Sequence, residues 1–97
     1  MLRHVVMFKL KDGAPADTTK SLEAGLHALS QSIPDISSYR YGADLGLRED
    51  NFDFCVVAEF ADADAFARYV VHPDHQAFIQ DRLTPVVSER VAVQYEI

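Results

Sequence analysis

The chain has 97 residues, 48% of them apolar, and a net charge of −6 from nine Lys and Arg against fifteen Asp and Glu. That length and balance fit one globular domain and exclude a disordered or low-complexity protein. So acidic a surface argues against nucleic acid and anionic membrane as partners, because both select basic faces.

No apolar run approaches the roughly 20 residues that a membrane helix needs. The opening Met1–Val5 does not read as a signal peptide. A lone Cys55 forms no internal disulfide, so a reducing, cytoplasmic setting is expected.

Arg3 to Lys11 reads as a strand with His4, Val6, Phe8 and Leu10 on one face and Arg3, Val5, Met7 and Lys9 on the other. Apolar residues on both faces predict a central strand. Asp12-Gly13 closes it. Asp17 to Ser32 reads as a helix, with Leu22, Leu26, Leu29 and Ile33 on one side and Asp17 or Thr18 as its cap. Pro34 ends it. Ser38 to Leu47 alternates and reads as an edge strand with Tyr39, Tyr41, Ala43, Leu45 and Leu47 on one side.

Asp53 to Ala61 is a second strand with apolar residues on both faces. Asp62 caps a short helix through Tyr69 and Val70. Pro73 interrupts it and suits the first position of a second helical stretch, expected to run to about Val87. Glu89 to Ile97 alternates as the last strand, with Val91, Val93, Tyr95 and Ile97 on one side.

The order β-α-β-β-α-β predicts an α+β, ferredoxin-like fold over residues 1–97, with the first and third strands central in a four-stranded antiparallel sheet. Helices then cover only one sheet face. Val5, Met7, Cys55 and Val57 on the other face need a cover, as do the tyrosines, and a second copy of the sheet supplies one. A homodimer is therefore expected.

Chemistry concentrates in Tyr69-Val70-Val71-His72-Pro73-Asp74-His75-Gln76-Ala77-Phe78. It brings a phenol and two imidazoles to a helix break, groups suited to proton transfer and to hydrogen bonding of a carbonyl oxygen. His4 opens a central strand and can point under these helices. The same residues also serve as caps and packing in many helix joins, with His72 as the cap and Pro73 as the helix start. Two histidines three apart do not define a metal site. Cys55 reads as an inert thiol, His27 as a surface residue, and the scattered glycines as turn, bend or helix-packing positions.

These residues resemble the stress-responsive A/B barrel (Dabb) family. The resemblance rests on Arg3-His4-Val5-Val6-Met7-Phe8-Lys9-Leu10-Lys11, on Ile33-Pro34, and above all on Tyr69-x-x-His72-Pro73-x-His75-x-x-Phe78. It spans nearly the whole chain. The family includes plant stress-associated proteins and olivetolic acid cyclase, and its fold is a dimeric α+β barrel. The resemblance implies a catalytic pair Tyr69 and His75, with His4 lining the site and Phe78 in the pocket wall. The first helix here carries Leu22, Glu23 and Leu26 where the cyclase has bulkier aromatics.

The expected function is a homodimer that binds a small apolar or aromatic molecule between sheet and helices, with lyase or cyclase-type acid–base activity and no cofactor or metal. Tyr69, His75 and His4 are the candidate catalytic residues; Phe78, His72 and Leu26 are the candidate ligand contacts. Two other readings are a non-catalytic stress-associated structural protein and an oxygenase of the related dimeric barrel type.

Overall fold

Strand β1 (Leu2–Leu10) takes a partner on each side, β3 (Phe54–Phe60) on one and β4 (Val87–Glu96) on the other. The computed structural model describes all residues, Met1–Ile97. Strand β2 (Ser38–Ala43) pairs with β3, giving the antiparallel order β2-β3-β1-β4. Helix α1 (Thr18–Ser32) connects β1 to β2. Helices α2 (Ala63–Val71) and α3 (Pro73–Phe78), followed by a π-helical turn at Ile79–Leu83, connect β3 to β4. This is the ferredoxin-like βαββαβ arrangement, with β1 and β3 central as their two-sided patterns require.

The alternation of β1 sets the two faces. His4, Val6 and Phe8 are buried under the helices, whereas Val5 is half-buried and Met7 is exposed. Register carries the same division across the sheet: Val6 lies opposite Val56 and Ala92, and Val5 opposite Val57 and Val93. The helix-side core joins Leu22, Leu26, Leu29 and Ile33 to Phe54 and Phe60. Each such side chain contributes roughly 2 kcal/mol by leaving water. The other face is open and apolar, with Val91, Val93 and Tyr95 each more than 40% exposed.

Helix starts follow the sequence with one exception. Asp62 Oδ1 accepts from Ala65 N at 2.9 Å and caps α2. Asp17 occupies the cap position of α1 without a side-chain bond, and Thr18 Oγ1 instead donates to Pro15 O at 2.6 Å. Gly25 of α1 is a packing position. A Cβ there would lie 2.6 Å from two Phe78 ring carbons.

Three expectations are corrected. Strand β2 stops at Ala43, not Leu47. Asp44 Oδ2 accepts from Gly46 N, and Gly46 has φ +75°, so the chain turns and leaves Leu45 and Leu47 in solvent. The last helical stretch widens into the π-helical turn and ends at Leu83, where Thr84 N donates to Ile79 O; Pro85 cannot extend it, and β4 begins at Val87. Tyr39 and Tyr41 need no second sheet. They lie opposite the buried Ala58 and Val56, on the helix side, and only Tyr95 of the strand tyrosines faces outward.

Candidate functional site

The break between α2 and α3 determines the chemistry of His75. In an unbroken helix Val70 O would accept the N–H of residue 74. Here His72 is extended, with ψ 133°, and its Nδ1 accepts from Asp74 N at 3.1 Å. Pro73 has no N–H to place. Val70 O is thereby released, and it accepts from His75 Nδ1 at 3.2 Å and from Gln76 Nε2 at 2.6 Å. A carbonyl only accepts, so the His75 proton is on Nδ1. Its Nε2 is then the basic nitrogen.

Tyr69, on the last turns of α2, stacks on that ring with centroids 4.1 Å apart. It is 4% exposed. Its Oη lies 2.7 Å from Tyr39 Oη, contributed by β2. Burial pushes the Tyr69 phenol up, while the bond from Tyr39 and the nearby Arg90 charge pull it down. Tyr39 is pushed far up by burial and by its partner, so both phenols stay protonated and either hydroxyl can donate to the other. When Tyr39 donates, the Tyr69 hydrogen is left for a ligand.

His4 enters from β1. Its Nδ1 receives the Gln94 Nε2 donor at 2.9 Å, which places the ring proton on Nε2, and the ring packs 5.0 Å from Phe66. Burial lowers its pKa to about 4, helped by the charges of Arg90 and His75. Burial likewise lowers His75, partly offset by its bond to Val70 and assisted by His72 and Arg90. Both rings are therefore neutral at pH 7.

These groups share one cavity of about 210 Å³ between sheet and helices. Its apolar wall includes Leu26, Phe66, Phe78 and Ile79, and its polar groups are His4, Tyr39, Tyr69, His75, Gln76 and Arg90. A larger groove of about 620 Å³ lies elsewhere, on the open sheet face by Met7, Cys55 and the 44–52 loop, and contains neither imidazole nor phenol. The smaller cavity is the candidate site because it holds the proton-transfer groups.

Of the residues singled out from sequence, Tyr69, His75, His4, Phe78 and Leu26 line this cavity. His72 does not. Its ring is committed to capping α3, where Nδ1 accepts from Asp74 N. Cys55 is half-buried on the open face, where burial raises its thiol pKa, so it presents no ready thiolate. Sequence reading missed Tyr39, Gln94 and Arg90. The signal was strand alternation: Arg90 and Gln94 lie opposite Phe8 and His4, on the side of β4 that looked like its solvated one.

The family model of the Stress Responsive A/B Barrel Domain matches residues 2–97. The chain belongs to the Dabb family. The chain is similar to the uncharacterized protein SCO4036 of Streptomyces coelicolor, 37% identical over 79 residues, which are 79% of this chain and 81% of that protein. A crystal structure of a dimeric ferredoxin-like protein of unknown function from Thermobifida fusca has a TM-score of 0.91 at 38% identity, covering 99% of this chain and 90% of that one. The hydroxynitrile lyase of Passiflora edulis has a TM-score of 0.85 over 99% of this chain and 92% of its own; at 22% identity it shows a shared fold.

Proposed function

We propose that this Dabb protein is a homodimer that binds a small apolar or aromatic molecule in the cavity under α2 and α3. It acts there by lyase or cyclase-type acid–base chemistry. The observation that carries this reading is the Tyr69–His75 stack inside an apolar cavity, with the His75 proton directed away to Val70. His75 Nε2 takes a proton from the carbon next to a ligand carbonyl. Tyr69 Oη donates to the oxygen that becomes negative, and Tyr39 stabilises that phenol from behind. The Nε2–H of His4 orients the bound group.

The dimer rests on the open apolar face, since Val91, Val93 and Tyr95 stand beside Val5 and Met7 with no cover in one chain. The Thermobifida fusca relative is a dimeric protein. The Passiflora edulis enzyme adds that this fold accommodates lyase chemistry.

The test uses phenylacetone in D₂O, with exchange of its α-protons followed by NMR. The wild-type dimer should accelerate exchange well beyond free imidazole at equal concentration. Tyr69→Phe and His75→Ala should each lose about a hundredfold of that acceleration while native mass spectrometry still shows the dimer. Exchange no faster than with imidazole would overturn the catalytic part and leave a binding or structural protein. A monomer would overturn the barrel.

A further inference from the structure

Arg90 is the one formal charge in the candidate cavity. The chain carries fifteen acidic residues, yet no Asp or Glu lines this site. The local charge is therefore positive inside a protein whose net charge is −6. Arg90 also lines a neighbouring concavity of about 230 Å³, walled by Phe8, Ile79, Leu83 and Val87, which again contains no acid. The ion pairs of the chain use Arg3, Arg68 and the N-terminal amine, and Arg82 donates to Ser21 O. Arg90 enters no ion pair and makes no side-chain hydrogen bond within the chain. Its place in β4, opposite Phe8, aims it to the helix side of the sheet instead of to the open face.

We infer that Arg90 makes the cavity selective for an anion: the ligand is a small apolar molecule bearing a carboxylate, its apolar part against Phe66 and Phe78 and its carboxylate on the Arg90 guanidinium. This inference rests on the proposed reading of the cavity as a ligand site and adds the ligand class. A guanidinium offers paired donors that match a carboxylate, and Arg90, itself exposed, holds them beside the apolar wall of the cavity. Neutral His4 and His75 do not compete for the anion's charge. No carboxylate lines the cavity or pairs with Arg90, so the guanidinium has no ion-pair partner in the chain before the ligand arrives.

The test compares phenylacetate with phenylacetamide, which share shape and differ in charge. Affinities are read at pH 7.5 by isothermal titration, and the site is located by shifts of the His4 and His75 ring signals in NMR. The carboxylate should bind about tenfold more tightly, the size of one partly exposed charge-assisted bond. Arg90→Gln should erase the difference, and Arg90→Lys should keep part of it. Equal binding of both probes to the wild type, or a preference that survives in Arg90→Gln, would overturn the anion anchor and leave the cavity reading intact. Failure of both probes to shift either ring would overturn the anchor and the cavity reading together.

Discussion

Tyr39 of β2 and Tyr69 of α2 meet hydroxyl to hydroxyl at 2.7 Å, joining an edge strand to the helix that carries the candidate acid. Truncating one partner leaves the other hydroxyl buried without its bond. Tyr39→Phe and Tyr69→Phe should each destabilise the chain by about 1–2 kcal/mol in urea unfolding. The double variant should cost little more than either single one, because the two polar groups leave together. Additive losses would show that the hydroxyls act independently.

Acid should weaken the fold through its histidines. The folded pKa of His4, about 4, lies below its ordinary value of 6.5, so in this window the unfolded chain binds more protons than the folded one. Stability is then fully present above pH 6.5, falls as pH drops, and reaches its full loss near pH 4. His75 is lowered as well and adds to the same slope. Unfolding free energies measured from pH 7 to 4 should decline, and His4→Gln should flatten part of that decline. An unchanged slope in the variant would assign the acid sensitivity elsewhere.

Gly25→Ala sets two effects against each other. Alanine is the better helix former by about 1 kcal/mol. Its methyl group, however, would enter the space of the Phe78 ring, 2.6 Å from two of its carbons. Phe78 is itself buried and forms part of the cavity wall. Overpacking should win, with a net loss of about 1–3 kcal/mol and a smaller cavity. A rise in melting temperature would mean that Phe78 yields freely.

The open sheet face should respond to charge. Val57 lies opposite Val5 near the centre of that face. Val57→Glu should convert the dimer to monomer in size-exclusion chromatography with light scattering, because a carboxylate buried without a partner costs several kcal/mol. A dimer of unchanged affinity would place the interface on another surface.

Much of the fold could be read from alternation and breakers. His4, Val6 and Phe8 declared one face of β1, and Leu22, Leu26, Leu29 and Ile33 declared one side of α1; all seven are buried. The site was legible where its residues are local in sequence, in the segment from Tyr69 to Phe78. Tyr39, Gln94 and Arg90 reach it through strand pairing, which no local spacing reports. The end of β2 was misjudged because Leu45 and Leu47 keep the alternating pattern after Asp44 has turned the chain. His72 was counted as a ligand contact because spacing alone does not show that its ring is taken up by the backbone of α3.

Neighbouring residues of β1 serve opposite ends: His4 lines the cavity, and Val5 faces outward. The strand thus works as a parity code, even positions for the candidate site and odd positions for the proposed dimer face. A one-residue insertion between Leu2 and His4 that preserved strand pairing would invert both assignments at once, turning the imidazole outward and the valine inward. Site and assembly are therefore locked to a single reading frame of the sheet. A shift by any odd number of residues would disturb both, whereas a shift by two would restore the same faces.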